Sequence, residues 1–261
     1  MQSVRLYKIW PGRNLFYFGG RLMSGPREDW PYSSALFILM SVPPSLFFAY
    51  CGDSFGPSDP LVLGIGAFWL LTFSFWLITS FTEPGIIPRK SFIAKLDPAT
   101  DDNLPSSEPS NSRWCRTCLI VRPPRASHCA ECDNCVLQFD HHCPFVNNCV
   151  GARNYLFFNL LLLSGFGEGV AVLLGVILSL AGGKENLPAG VLWGVGGALG
   201  LLVLLLGGFL IYHCILWSLL GKTTKEHIRG NRVPSESISC WKRPASLLPP
   251  MRTPILVENT V

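Results

Sequence analysis

Four long apolar stretches constrain this chain more than any other feature of its sequence. They cover residues 32–51, 61–81, 155–181 and 188–221, and Glu168 is the only charged residue within them. A helix needs about 20 apolar residues to cross the hydrocarbon layer of a bilayer. The chain is 49% apolar and only 15% charged, whereas an ordinary soluble domain is about a quarter charged. We therefore predict an α-helical integral membrane protein with four transmembrane helices; buried core helices of a soluble protein are the alternative, which stretches this long disfavour.

The basic residues are distributed very unevenly around these stretches. Only one of the 21 lysines and arginines, Lys184, lies between the third and fourth stretch, and the first loop has none. Because basic residues concentrate on the cytoplasmic side of membrane proteins, both termini and the long middle segment are expected in the cytosol. The predicted organisation is a cytosolic arm at 1–31, helices 1 and 2 in 32–81, a cytosolic linker and cysteine-rich module in 82–154, helices 3 and 4 in 155–221, and a cytosolic tail at 222–261. Within the linker, the polar residues 97–112 are expected to form a flexible connector.

Cysteine and histidine are crowded into residues 113–151, and their spacing is repeated. The pattern C-x2-C-x9-H-x6-C occurs twice, with the second copy 14 residues after the first. Two interleaved sets result: Cys115, Cys118, His128 and Cys135, and then Cys129, Cys132, His142 and Cys149. Three Cys and one His form a closed tetrahedral zinc site, and in a reducing cytosol such clusters bind metal more often than they form disulfides. The sequence predicts two structural zinc ions; a thiol-rich loop without metal and an iron–sulfur site are the disfavoured alternatives.

Two residues of the cluster remain after this assignment. Cys143 and His141 belong to neither set, and both lie beside Asp140. A thiol next to an imidazole and a carboxylate combines a nucleophile, a base and a group that orients the base. The alternative is that Cys143 binds metal and another cysteine is idle, which the 14-residue repeat argues against.

A cytosolic nucleophile attached to membrane helices suggests a substrate with a lipid part, and a long-chain acyl thioester of coenzyme A fits. Exchange of one thioester for another needs no nucleotide hydrolysis. Residues 221–223 imitate the end of a phosphate-binding loop, but a membrane helix precedes them instead of a strand. Coenzyme A carries phosphates, which pair with basic side chains. The candidates for this contact are Arg122, Arg125, Arg153 and Lys222.

The sequence Asp-His-His-Cys at 140–143, inside a cysteine-rich loop between the second and third of four helices, resembles the DHHC protein S-acyltransferases (palmitoyltransferases). Glu-Pro-Gly at 83–85 and Thr-Thr-Lys-Glu at 223–226 extend the resemblance. Residues 122–129 and Pro-Gly-Arg-Asn at 11–14 look closest to the subgroup that palmitoylates Ras-type proteins. Several enzymes of that subgroup work with a small accessory protein.

The resemblance implies a two-step, ping-pong reaction. Cys143 is acylated from palmitoyl-CoA and then passes the acyl group to a cysteine of a membrane-associated protein, with His141 as the base and Asp140 orienting it. The same resemblance assigns His142 to zinc and gives a supporting structural role to Thr223, Thr224 and Glu226. The expected partners are acyl-CoA, membrane-associated proteins with cytosolic cysteines and a small accessory subunit, with no nucleic acid. The expected location is the endomembrane system, in the ER or the Golgi.

Three departures from the family pattern leave a second hypothesis open. Glu83 stands where the family usually has Asp, Phe145 stands where Trp is common, and the tail after Arg229 lacks an Asn-Pro-aromatic element. The alternative to an enzyme is a catalytically inactive, membrane-anchored zinc-binding scaffold. A small transporter is disfavoured, because Glu168 is the only charge in the spans and the sequence has no inverted repeat. Cys240 in the tail is a candidate site for acylation of the protein itself.

Two pairs of glycines in the third and fourth stretch have the small-xxx-small spacing that lets membrane helices approach closely. They are Gly165 and Gly169, and Gly196 and Gly200. The alternative is that they are ordinary membrane glycines.

Overall fold

The fold is described from a computed structural model, which covers residues 2–52, 55–96, 113–182, 188–230 and 244–257. The chain divides into two compact units. The membrane unit comprises Ser33–Ile78 and Leu156–Leu220, and the cysteine-rich unit comprises Met1–Tyr32, Thr79–Tyr155 and Gly221–Val261. The connector expected at 97–112 and the acylation candidate Cys240 lie outside the described residues.

Six α-helices and eleven short strands occur among the described residues. The helices are α1 Trp30–Tyr50, α2 Pro60–Phe81, α3 Lys90–Leu96, α4 Tyr155–Gly182, α5 Ala189–Cys214 and α6 Thr224–Ile228. A π-helical segment, Ile215–Leu220, continues α5. The strands are β1 Gln2–Arg5, β2 Leu15–Tyr17, β3 Leu22–Ser24, β4 Ile86–Ile87, β5 Trp114–Cys115, β6 Ile120–Val121, β7 Ser127–Cys129, β8 Asn134–Val136, β9 His141–Cys143, β10 Asn148–Val150 and β11 Pro254–Val257.

The membrane unit is built from the four long helices. Within the described residues, four helices are long and apolar enough to cross a bilayer: Arg27–Tyr50, Pro60–Phe81, Tyr155–Gly182 and Trp193–Leu220. The four predicted spans are thereby confirmed. Helix α5 itself ends at Cys214, and the π-helical segment carries the fourth span on to Leu220, one residue before its predicted end. Side chains from all four helices form the buried core of this unit: Phe47, Ile65, Val172, Val176, Leu199 and Val203.

Close helix packing in the membrane unit depends on glycines of α4 that face aromatic rings. A Cβ atom at Gly175 would lie 2.4 Å from the ring of Phe47, and one at Gly167 would lie 2.5 Å from the ring of Phe68. Real Cβ atoms do not approach other heavy atoms so closely. The rings of α1 and α2 therefore occupy space that only glycine leaves open.

The four glycines singled out by their spacing behave differently from one another. A Cβ atom at Gly169 would lie 2.8 Å from Val203, so α4 and α5 do approach closely at this point. At Gly165, Gly196 and Gly200 the nearest contacts would be 3.7 to 3.9 Å, which is ordinary van der Waals distance. The spacing therefore identified one close contact, while the tightest contacts of α4 lie at glycines outside the predicted pairs.

The strands of the cysteine-rich unit form small antiparallel sheets. Strands β4, β8 and β7 form a three-stranded sheet, and β2–β3, β5–β6 and β9–β10 are two-stranded. Met23, Ile86, Val136 and Phe139 pack with buried cysteines to form its main core. Such short strands bury little apolar surface, so additional cross-links are expected to hold them.

The C-terminal tail, whose packing the sequence left open, returns to the cysteine-rich unit. Strand β11 pairs antiparallel with β1, with Gln2 opposite Val257 and Arg5 opposite Pro254. Just before β11, Met251 is buried with Leu6 and Phe92. The first and last described strands of the chain therefore belong to one sheet.

Substitution of Gly175 should destabilise the membrane unit. We expect Gly175→Ala to push against Phe47 and to cost about 1–3 kcal/mol of stability, the usual cost of overpacking. The measurement is the thermal unfolding midpoint in detergent micelles. Gly197, which has no neighbouring heavy atom within 4 Å, is the matched control. Gly197→Ala should leave the midpoint unchanged or raise it, because alanine favours a helix by up to about 1 kcal/mol over glycine. A midpoint for Gly175→Ala equal to that of the control would contradict this packing.

Candidate functional site

The doubled cysteine–histidine spacing corresponds to a repeated backbone arrangement. Cys115 pairs with Ile120 across β5 and β6, and 14 residues later Cys129 pairs with Asn134 across β7 and β8. Likewise, the pairs His128–Cys135 and His142–Cys149 each lie on opposite strands of a hairpin. Adjacent residue pairs of the β7–β8 hairpin therefore contribute to different sets: His128 and Cys135 to the first, and Cys129 to the second.

The first set of four candidate ligands comes together in the structure. Nδ1 of His128 lies 3.6 Å from the sulfur of Cys115, 3.4 Å from that of Cys118 and 3.8 Å from that of Cys135. All four ligand atoms lie within 4.8 Å of one another. Zinc–sulfur bonds of about 2.3 Å and zinc–nitrogen bonds of about 2.0–2.1 Å at tetrahedral angles separate the ligand atoms by about 3.5–3.8 Å.

The second set has the same geometry. Nδ1 of His142 lies 3.5 Å from the sulfur of Cys132 and 3.6 Å from that of Cys149, and these two sulfurs are 3.5 Å apart. With Cys129, the four ligand atoms again lie within 4.8 Å of one another. Both sets are Cys3His sites consistent with zinc, and each already supplies four ligands.

Carboxylates behind the two histidines strengthen this interpretation. Nε2 of His142 lies 2.7 Å from Oδ2 of Asp29, and Nε2 of His128 lies 3.5 Å from Oδ1 of Asp133. Metal-binding histidines commonly donate their second N–H to a carboxylate, which fixes the ring and leaves the other nitrogen for the metal. Neither carboxylate was predicted from the sequence. Asp29 is 113 residues from His142, and no local spacing connects the two.

Cys143 and His141 lie on the same hairpin as the second set but outside both sets. Cys143 is buried at the end of β9, opposite Asn148 of β10. Nδ1 of His141 lies 2.6 Å from Oδ2 of Asp140, whose carboxyl group is buried. Burial lowers the pKa of His141, but hydrogen bonds to Asp140 and Cys143 outweigh it and raise that pKa to about 9. The three residues are thus in contact in the order thiol, imidazole, carboxylate.

The second oxygen of Asp140 fixes the segment that follows the fourth span. The backbone N–H of Thr224 donates to Oδ1 of Asp140 over 2.7 Å. Thr223 and Glu226 form a capping box at the start of α6: the Thr223 hydroxyl accepts from the N–H of Glu226, and the Glu226 carboxylate accepts from the N–H of Thr223. These contacts place all three residues expected to give structural support next to the carboxylate that holds His141.

A buried ion pair completes this support. Nε of Arg125 lies 2.8 Å from Oε1 of Glu226, and its Nη2 donates to Oε2 of Glu226 and to the carbonyl of Gly221. Both side chains are almost fully buried, with exposed fractions of 4% and 10%. A planar guanidinium that contacts a carboxylate at two points forms a strong interaction, and the two contacts fix the relative orientation of both groups.

The arginines expected to bind coenzyme A are engaged within the protein. Arg125 is held by Glu226, as described. Arg153 pairs with Glu83 over 2.8 Å and donates to the carbonyl of Pro244, and Arg122 donates to the carbonyls of Arg113 and Trp114. A phosphate would have to compete with these contacts, so a role for the three arginines in phosphate binding stays a prediction, as it does for the half-buried Lys222.

Two of the three departures from the pattern of the DHHC family, Glu83 and Phe145, lie within the described residues. Glu83 accepts hydrogen bonds from the N–H groups of Gly85 and Ile86 and pairs with Arg153 through its other oxygen. The glutamate thus caps the turn that leaves α2. Phe145 is half exposed, and its ring lies 6.2 Å from that of Tyr32, edge to face.

Two buried asparagines, which the sequence analysis did not single out, hold this hairpin to the end of α2. The amide of Asn148 donates to the carbonyls of Ser80 and Thr82 over 3.0 and 2.9 Å. The amide of Asn154 donates to the carbonyls of Thr79 and Cys149. Both residues therefore satisfy carbonyl groups that the end of a helix leaves without partners.

Comparison with known proteins finds one matching family model and several similar sequences. Residues 108–231 match the model of the DHHC palmitoyltransferase family. The chain is similar to palmitoyltransferase ZDHHC14 of Mus musculus (39% identity over 183 residues, 61% of this chain and 37% of the relative). It is also similar to palmitoyltransferase ZDHHC18 of Homo sapiens (39% over 180 residues, 61% and 45%) and to probable protein S-acyltransferase 5 of Arabidopsis thaliana (35% over 187 residues, 62% and 39%). The matches span less than half the length of these relatives.

Removal of the negative charge of Asp29, whose carboxylate contacts His142, should weaken one metal site selectively. We expect Asp29→Asn to lower the zinc affinity of the second set by about 10- to 100-fold, the usual effect of losing such a carboxylate. The measurement is the rate at which zinc is released to a competing chelator. The zinc of the second set should be released early, and the zinc of the first set should be released at the rate seen in the parent protein. Glu28→Gln changes an exposed neighbouring carboxylate and is the control. Equal release from the two variants would contradict the role of Asp29.

Proposed function

We propose that this chain is a protein S-palmitoyltransferase that moves a long-chain acyl group from acyl-CoA to a cysteine of a membrane-associated protein. The observation that carries the proposal is the contact between Cys143, His141 and the buried Asp140, beside two complete ligand sets that do not use Cys143. The family match over residues 108–231 and the names of the relatives support it.

In the first step, Cys143 attacks the carbonyl carbon of the acyl thioester. The raised pKa of His141 lets the imidazole hold the proton of the thiol before the attack. A new bond then forms between the sulfur of Cys143 and the acyl carbon, and the bond from that carbon to the sulfur of coenzyme A breaks. The departing thiolate takes the proton back from His141. One thioester replaces another, so no hydrolysis of a nucleotide is required.

In the second step, the same residues act on the thiol of the protein substrate. His141 takes the proton of that thiol, its sulfur attacks the acyl carbon held on Cys143, and the bond to Cys143 breaks. Cys143 recovers the proton from His141. Asp140 holds one imidazole nitrogen in both steps, which keeps the other nitrogen directed towards the reacting sulfur.

The two ligand sets support this chemistry without taking part in it. Zinc bound there supplies folding free energy to a module of short strands, and four protein ligands leave no open position for a substrate. The second set shares the β9–β10 hairpin with Cys143, so an ordered metal site keeps the nucleophile in place.

Further features of the proposal come from the sequence. They are a ping-pong order, cytosolic termini, an endomembrane location in the ER or Golgi, and the phosphate contacts of Lys222 and the three arginines. The choice of a Ras-type substrate and the need for a small accessory subunit also stay predictions, since the names of the relatives mention neither. An inactive zinc scaffold is the alternative that the following experiments separate from an enzyme.

Replacement of the proposed nucleophile should abolish acyl transfer and keep the metal. We expect Cys143→Ser to lose the hydroxylamine-sensitive label that the parent protein acquires from palmitoyl-CoA, because no thioester forms. The zinc content should equal that of the parent. A label that persists would place the nucleophile elsewhere, and the absence of a label on the parent itself would support the scaffold. Loss of one zinc equivalent would make Cys143 a ligand.

The two adjacent histidines should respond differently to the same change. His141→Ala removes the base and should slow acylation by about 10²- to 10⁴-fold while the zinc content stays that of the parent. His142→Ala should lose metal and lower the unfolding midpoint. Acylation rate, zinc content and thermal stability measured on both variants test the assignment. Equal loss of metal from the two would show that His141 is also a ligand.

A further inference from the structure

The β2–β3 hairpin ends in an unusual turn. Residues 18–21 connect the two strands, and the N–H groups of Gly20 and Arg21 both donate to the carbonyl of Tyr17. Phe18, Gly19 and Gly20 all have positive φ, at +50°, +68° and +88°. Glycine adopts this conformation without cost, but a bulky side chain such as phenylalanine rarely does.

Phe18 is also one of the most exposed apolar side chains of the protein. It is 76% exposed, although every other aromatic residue of the hairpin is partly buried. A strained conformation costs about 1–3 kcal/mol, and such strain clusters at sites that serve a function. Nothing that Phe18 contacts within the described residues accounts for an aromatic ring at this position.

The turn lies at the end of a membrane span. The ring of Tyr17, next to Phe18, contacts the ring of Phe81 edge to face, with the centroids 5.7 Å apart. Phe81 is the last residue of α2 and of the candidate span Pro60–Phe81. Trp30 and Tyr32, at the start of α1, are exposed as well. Aromatic side chains at this level are typical of the boundary between lipid and water.

Basic side chains accompany Phe18. Arg21, in the same turn, is exposed. The guanidinium of Arg5 lies beside Gly19, with Nη1 3.3 Å from the position that a Cβ atom would take there. The ring of Phe18 is thus flanked by the positive charges of Arg5 and Arg21. This arrangement suits the surface of a lipid bilayer, where phosphate groups lie next to the hydrocarbon layer.

We propose that the turn at 18–21 inserts Phe18 into the leaflet adjoining the cysteine-rich unit, while Arg21 contacts anionic lipid headgroups. The inserted ring holds the hairpin at the membrane surface, in addition to the four spans. This inference requires that the spans lie in a bilayer, but it does not depend on acyl transfer. A protein partner is the other possible occupant, and the experiment distinguishes the two.

Photo-crosslinking tests the proposal on the full chain in nanodiscs of equal parts phosphatidylcholine and phosphatidylserine. The variant Phe18→p-benzoylphenylalanine keeps an aromatic ring and should form phospholipid adducts on irradiation, identified by mass spectrometry. The same substitution at Leu39, an exposed residue inside α1, is the positive control. Leu119 is the matched negative control, because it too is an exposed apolar residue with positive φ (+54°), and no contact with a span end is described for it.

Lipid adducts at position 18 comparable to those at position 39, with few at position 119, are the expected result. Adducts to a second copy of the chain, or none at position 18 while position 39 reacts, would overturn the proposal. A zinc content equal to that of the parent shows that each variant is folded.

Adding Arg21→Gln to the Phe18 variant should lower the ratio of phosphatidylserine to phosphatidylcholine adducts by about fivefold, which corresponds to about 1 kcal/mol per basic residue at a membrane surface. An unchanged ratio would overturn the headgroup contact.

Discussion

The sharing of one hairpin between two tetrahedral ligand sets is the constraint on which the cysteine-rich unit depends. Strands β7 and β8 supply His128 and Cys135 to the first set and Cys129 to the second. The strands of this unit are two to four residues long and bury little apolar surface. Metal bound at the two sets would therefore take the place of a large core, and each site would fix a strand that the other site needs.

The sequence predicted the parts of this architecture that have a local or periodic signal. Apolar stretches gave the four spans, and a spacing repeated after 14 residues identified both ligand sets, because these ligand types are rare and their intervals match. The same arithmetic singled out Cys143 and His141, whose catalytic roles stay predictions.

Long-range polar contacts could not be predicted in this way. Asp29 contacts His142 across 113 residues, and Arg125 contacts Glu226 across 101. A single aspartate or arginine carries no spacing that identifies its partner, and charge alone does not tell whether a guanidinium is engaged or open to a ligand. For the same reason the arginines were assigned to coenzyme A from their charge, before their partners within the protein were visible.

The replacement of aspartate by glutamate at position 83 shows how such a site tolerates change. Glu83 accepts two backbone N–H groups at the end of α2 and also pairs with Arg153. One oxygen of the longer side chain accepts both N–H groups of the turn, and the other oxygen faces Arg153. The departure from the family pattern is therefore compatible with an intact site, and it adds a contact to the C-terminal segment through Ser246.

The amide of Asn148 has a mechanical consequence. It is bonded to the last turn of α2, and the same residue lies opposite Cys143 in the β9–β10 hairpin. One buried side chain therefore joins the strand opposite the thiol to the carbonyl groups with which α2 ends. Loss of that amide would leave both without this support at once.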